Sequence, residues 1–173
     1  MKAICELATL ECYYHNVAKF KETEKTLWWE DIKHFWVEYE GSVKIGVDTS
    51  LITIDISEDD IVRITIPPAE VFGCYVESKT LNEDSFIIDS DSKKITADDQ
   101  TKAFEEAEEN MLKAARSDKT LLLNAQQRAK DLLENYVTNI GNCVGKKYTV
   151  VWIDVDLNGN LVNETTDQVP TTE

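Results

Sequence analysis

The residues best placed to do chemistry are the run Asp154-Val155-Asp156-Leu157-Asn158-Gly159-Asn160. Oxygen-bearing side chains at alternate positions with glycine sixth reproduce the first half of an EF-hand loop, and calcium is a hard cation that prefers such oxygens. The spacing nominates Asp154, Asp156, Asn158 and Asn160 as a calcium site. Two features weigh against it. The twelfth loop position is Thr165, with Glu164 one residue early, so the bidentate carboxylate is missing from its place. The lead-in from Tyr148 to Ile153 has the pattern of a strand, where an EF-hand has a helix. A hairpin turned by Asn158-Gly159, its aspartates facing water, accounts for the same residues, because Asn-Gly is a strong two-residue hairpin signal.

Other chemistries have less to stand on. The two histidines, His15 and His34, lie in different segments and in no HExxH-like spacing, so they read as structural. No GxSxG elbow presents a serine nucleophile, and the six glycines form neither a GxGxxG nor a Walker loop. Cys5, Cys12, Cys74 and Cys143 make no CxxC pair and no zinc-finger spacing. They read as small buried hydrophobes, with a disulfide through Cys74 or Cys143 as the alternative. Glu58-Asp59-Asp60 and Glu105-Glu106 with Glu108-Glu109 read as solvated faces, and no carboxylate pair stands out as a general acid and base. Phe35 and Trp36 belong to a strand and to the core. Trp28 and Trp29, in a charged stretch, are the aromatic pair suited to a partner surface.

Charge narrows the partners. Eighteen basic against 33 acidic residues give a net charge of −15, and the lysines and arginines are scattered, so nucleic acid is excluded as a partner. No segment approaches the roughly 18 to 20 apolar residues that span a bilayer, and the first residues lack a signal-peptide core. As given, the chain reads as soluble. A hydrophobic content of 42% across 173 residues fits a single domain over 1–173, with its core over about 6–156 and a polar tail at 163–173.

The elements that must position these groups change period along the chain. Glu6 to His15 suits a long strand, Lys19 to Lys33 a loop or short helix, and His34 to Tyr39 a second strand ended by a Glu40-Gly41 turn. Ser42–Asp48, Leu51–Ile56 and Ile61–Ile66 alternate cleanly between tight turns and predict an antiparallel meander. Val71–Val76 and Ser85–Asp89 are weaker strands. Ala97 to Ile140 has helical spacing, capped at Thr96 or Asp98, broken and recapped at Arg116-Ser117-Asp118, and stopped at Gly141. Leu121, Leu122, Ala125, Ala129, Leu132, Leu133, Tyr136, Val137 and Ile140 form the stripe expected to cover the sheet. Lys147 to Asp156 returns as a strand apolar on both faces, hence internal. The predicted class is α+β: an antiparallel sheet packed by two helices from the C-terminal half, with a final strand returning to it.

Several of these stretches resemble a bacterial family catalogued as domain of unknown function 4230. The resemblance rests on Glu6-Leu7-Ala8-Thr9-Leu10-Glu11 with Tyr13 and Asn16-Val17. It also rests on Glu40-Gly41-Ser42-Val43-Lys44-Ile45-Gly46-Val47-Asp48 with Leu51, and on Ile64-Thr65-Ile66-Pro67-Pro68-Ala69-Glu70-Val71. The two-part helix and Lys147-Tyr148-Thr149-Val150 complete the order over roughly Glu6 to Ile153. The resemblance implies a hydrophobic anchor before the Glu-Leu-Ala-Thr-Leu motif, absent from this chain, and so an extracytoplasmic domain held at the bacterial cell membrane. It implies no activity, cofactor or catalytic residue.

The expected function is a non-catalytic, membrane-tethered extracytoplasmic domain acting through contacts with a protein partner. The alternative is a small-molecule or calcium-binding domain with hydrolase activity. A deep polar pocket holding His15 or His34 beside carboxylates would favour the alternative, and a shallow surface with exposed Trp28 and Trp29 the first. Oligomeric state is not legible, although Leu112 and Leu123 are spare apolar positions.

Overall fold

The computed structural model describes residues 6–25, 30–77, 86–88, 92, 94 and 96–163. The elements run β1 (Glu6–Lys25), β2 (Glu30–Asp48), a 3-10 turn (Thr49–Leu51), β3 (Thr53–Ile56), β4 (Ile61–Ile66), β5 (Glu70–Val76) and β6 (Phe86–Ile88). Helices α1 (Ala97–Ser117) and α2 (Lys119–Val144) follow, then β7 (Thr149–Val155) and β8 (Leu161–Asn163). The class is α+β as expected, with both helices in the C-terminal half and a late strand returning to a sheet. By contacts the chain divides into two compact units. One comprises Met1–Leu10, Ile45–Phe72 and Asp118–Glu173, the other Glu11–Lys44 and Gly73–Ser117. Cys5, Trp28, Trp29 and the tail beyond residue 163 lie outside the described residues.

The three alternating runs of the expected meander are shared between two sheets. Ser42–Asp48 belongs to β2, in a sheet of order β1-β2-β5 with β6 also on β2. The other two runs are β3 and β4, in a sheet of order β3-β4-β7-β8. There β3 and β4 form an antiparallel hairpin with Ile54 opposite Ile64, and β4 runs parallel to β7 with Ile64 opposite Trp152. A parallel pair needs a long crossover, which is why its strands lie on either side of both helices in sequence. β7 sits between β4 and β8, the internal position expected, but its faces are unequal: Val150 and Trp152 pack against α2 while Val151 on the other face is exposed.

Two local expectations give way to longer strands. β1 runs on to Lys25 where a loop or short helix from Lys19 was expected, because Phe20 is buried with its ring stacked 4.7 Å from Phe35 of β2. Glu40-Gly41 is no turn either. β2 passes straight through it, and the missing side chain of Gly41 admits the Tyr75 carbonyl oxygen and the Met111 side chain, which a Cβ would meet at 2.6 and 2.8 Å.

In the unit of Glu11–Lys44 and Gly73–Ser117, β2 buries Phe35, Val37, Tyr39 and Val43 on one face and turns Glu38, Glu40 and Lys44 to water on the other. Helix α1 buries Ala103, Ala107, Met111 and Ala115, and Ala103 packs with Phe20, Phe35 and Val37. Its start lies at Thr96, one of the two caps expected there, and takes the form of a capping box. The Asp99 N–H donates to Thr96 Oγ1 at 3.3 Å, and Asp99 Oδ2 accepts from the Thr96 N–H at 2.7 Å.

In the other unit, Val137 and Leu133 of α2 pack onto Val62, Ile64, Val150 and Trp152. Helix α1 thus packs on the β1-β2-β5 sheet, whereas α2 packs on the β3-β4-β7-β8 sheet and also meets β1, where the Thr9 hydroxyl donates to the Ala125 carbonyl oxygen at 2.7 Å; a shared cover for one sheet was expected. The buried stripe of α2 is narrower than its apolar pattern: Ala125, Ala129 and Val137 are buried, while Leu132, Tyr136 and Ile140 are exposed. Asp118 caps α2 as predicted, accepting from the Leu121 N–H at 3.0 Å. The helix ends at Gly145 in the left-handed region (φ 70°), one turn beyond the expected stop. Gly141 is buried instead within the last turn, where a Cβ would lie 2.6 Å from the Lys146 carbonyl oxygen.

Candidate functional site

The described residues gather one histidine with acids. On β1, Glu11, Tyr13 and His15 share the solvent-facing side, and on β2 Glu38 and Glu40 do the same, each set by the two-residue period of its strand. Pairing of β1 with β2 places His15 between the two carboxylates. Nε2 lies 2.7 Å from Glu38 Oε1 and Nδ1 lies 3.1 Å from Glu40 Oε1. A neutral imidazole has one donor nitrogen and one lone pair, so it would turn that lone pair against a carboxylate. Only the imidazolium satisfies both. Glu40 first and Glu38 second therefore raise the His15 pKa above its ordinary 6.5.

The clamp borders an open groove of about 340 Å³ lined by Tyr13, Tyr14, His15, Glu40, Ser42, Tyr75 and Glu77, with the Gly41 backbone as part of its floor. The three charged side chains stay wet: His15 is 60% exposed, Glu38 51% and Glu40 48%. Tyr13 is 81% exposed and Tyr75 62%. The Ser42 hydroxyl donates to Glu11 Oε1 at 3.0 Å, so it is directed away from the imidazole. The Cys74 thiol, pushed up to about 11 by burial and then by Glu108, stays protonated and sits 3.9 Å from the Glu108 carbonyl oxygen.

The clamp makes a signed prediction. Because the folded His15 pKa lies above its unfolded value, the stabilisation from the clamp is complete below pH 6.5 and fades as pH rises through the raised folded pKa. An NMR titration of the His15 ring in the folded chain is expected to give a midpoint above 6.5, falling in Glu40→Gln. A midpoint at or below 6.5 in the wild type contradicts the geometry.

The loop nominated for calcium is the β7–β8 hairpin; Asp154 is engaged by α2, while Asp156, Asn158 and Asn160 bond to one another. Asp154, on β7, forms an ion pair with Lys130 Nζ of α2 at 2.8 Å and accepts from Gln126 Nε2 at 3.3 Å. Asp156 accepts from the Asn158 and Asn160 N–H groups, both at 2.8 Å, and from Asn160 Nδ2 at 3.0 Å. These hydrogen bonds hold the Asp156 carboxyl below the usual range, the Asn160 side chain contributing most. Gly159 turns the hairpin with φ 80°. Among the described residues, no group of three or more His, Cys, Asp or Glu is arranged to hold a metal ion.

The remaining nominated residues scatter. His34, half-buried on β2, has its ring 4.6 Å from Trp36, and its backbone N–H donates to Ser92 Oγ at 3.0 Å. Trp36 is half-buried, with Lys19 Nζ 5.8 Å from its ring. Among the described cysteines there is no disulfide, and Cys143 is exposed where a buried position was expected. The sequence reading missed the clamp. The alternation of Tyr13 and His15 with Cys12 and Tyr14, and of Glu38 and Glu40 with Val37 and Tyr39, marks the two outward faces, but nothing local says that they meet.

A family model described as Protein of unknown function (DUF4230) matches residues 1–145 of the 173. No curated protein and no solved structure matches the chain.

Proposed function

The chain belongs to this family of proteins of unknown function, and from that premise we propose a non-catalytic, membrane-tethered extracytoplasmic domain that acts through protein contacts. The observation that carries the proposal is the outward face of β1, β2 and β5 around the groove. Two tyrosines stand in water there beside a fixed ionic cluster. Tyrosine supplies a large, rigid, amphipathic contact area at small entropic cost, which suits it to interfaces. His15 has both ring nitrogens turned to carboxylates and the Ser42 hydroxyl is turned to Glu11, an arrangement for display more than for proton transfer. No helix among the described residues is long and apolar enough to cross a membrane. In this reading the tether is the hydrophobic segment that the family resemblance implies ahead of Glu6.

The test is made on the full-length gene product in bacterial cells. A photo-crosslinking residue is placed at position 13, at position 75 or, as a control in the other unit, at the exposed Leu123. Positions 13 and 75 are expected to trap the same discrete protein while position 123 does not. Protease added outside the cytoplasmic membrane is expected to digest the domain. Protection from that protease, or equal crosslinking from all three positions, overturns the proposal.

A further inference from the structure

Among the described residues β3 pairs with β4 alone and forms one edge of its sheet. All four residues of β3 are exposed, Ile54 at 48% and Ile56 at 58%. Ile54 lies opposite Ile64 and Ile56 opposite Val62, so both stand on the face that α2 covers further in, where Val137 packs on Val62 and Ile64. The Ser57 N–H donates to the Ile61 carbonyl oxygen at 2.9 Å. By alternation Asp55–Arg63 and Thr53–Thr65 are the other hydrogen-bonded pairs of this hairpin. The main-chain N–H and C=O groups of Ile54 and Ile56 therefore point away from β4, out of the edge. On the opposite face Asp55 has Arg63 as its cross-strand neighbour, which offsets its charge there.

We propose that β3 pairs antiparallel with β3 of a second copy of this chain, about a two-fold axis at Ile54. What singles out a second copy is that the edge complements itself. This centring sets Ile54 against its own counterpart, Ile56 against the other copy's Ile52, and Asp55 beside the other copy's Thr53. Each Asp55 then stands between an arginine on β4 and a threonine across the new seam, both suitable neighbours for a carboxylate. Centring one residue later, at Asp55, would oppose two carboxylates directly, which is unfavourable. An open edge is a template for pairing with another chain, and a two-fold axis closes the pairing at two copies. Strands of four residues bury less than a stable interface needs, so the pair is weak and reversible.

The test measures self-association of the 173-residue chain by sedimentation equilibrium, at about 0.15 M ionic strength to screen the −15 that each copy carries. At chain concentrations up to about 1 mM the wild type is expected to rise from the monomer mass toward the dimer mass. Ile54→Lys and Ile54→Glu are each expected to stay monomeric, because the axis brings like charges together. Their equimolar mixture is expected to associate, since opposite charges then meet at the same contact. Position 54 is exposed, so an unchanged thermal midpoint separates lost pairing from lost folding. Amide hydrogen exchange reads the register. With rising concentration the Ile54 and Ile56 amides are expected to slow, while those of Thr53 and Asp55, already paired with β4, do not change. A wild type that stays monomeric throughout, or a mixture that associates no better than its components, overturns the inference. If the wild type stays monomeric while a photo-crosslinking residue at position 54 traps a different protein in cells, the edge serves that protein and the self-pairing falls.

Discussion

Truncation of Phe35 to alanine will cost about 3–5 kcal/mol of folding free energy, the range for removing a buried aromatic ring. Phe35 has no exposed surface. Its ring lies 4.7 Å from Phe20 and 5.9 Å from Phe86, in the cluster that also holds Val37 and Ala103 of α1. Three strands and a helix therefore line the void that would be left, and they cannot all relax into it. The variant has a functional reading as well. Phe35 anchors the strand whose opposite face presents Glu38 and Glu40, so the His15 titration should move back toward its ordinary value as the clamp loosens. Urea unfolding, followed by fluorescence and by the His15 resonance, measures both effects. A loss below about 1 kcal/mol would mean that the aromatic cluster is not the core of this unit.

Gly46→Ala will be comparably severe, at about 3 kcal/mol, the upper end for overpacking. A Cβ there would fall on the Leu7 carbonyl oxygen and lie 2.7 Å from the Ala8 Cα. Both obstacles are main chain, so no rotamer change relieves them, and β1 would have to move away from β2. The comparison that isolates this cause is Gly73→Ala on β5, where a Cβ meets nothing within 4 Å. That variant is expected to stay within about 0.5 kcal/mol of the wild type. Equal costs at the two glycines would show that general backbone stiffening, and not close approach, sets the Gly46 penalty. The pair is read by the same denaturant unfolding. Phe35 and Gly46 lie in different compact units, so each transition is fitted separately if two appear.

Element type was legible because it depends on neighbours in the chain. Alternating apolar residues marked the strands, Thr96 (with Asp98 as its alternative) and Asp118 marked the helix starts, and Asn158-Gly159 marked the last hairpin. The misreadings share one cause: a glycine or a charged stretch was judged by local tendency when a distant group determined its role. Gly41 looked like a turn and is a strand position under the Tyr75 carbonyl. Gly141 looked like a helix stop and is a packing position under the Lys146 carbonyl. Lys19 to Lys25 looked like part of a loop or short helix and is strand, where Phe20 meets Phe35. The stripe of α2 was read too wide, since period identifies an apolar face but not how much of it a sheet will reach.

The amino-acid order by itself determined the α+β class, the family likeness, the net acidic charge, and the alternation that sets Tyr13 and His15 on one side of β1 and Glu38 and Glu40 on one side of β2. Only the tertiary structure decided that those sides adjoin, that β4 runs parallel to β7, and that α1 and α2 join different core clusters. The physical reason is register. A strand's period fixes which way each side chain points, but the partner it meets is chosen by packing summed over both strands and the helix beneath. The His15 clamp, spanning 23 residues to Glu38 and 25 to Glu40, exists only after that choice has been made.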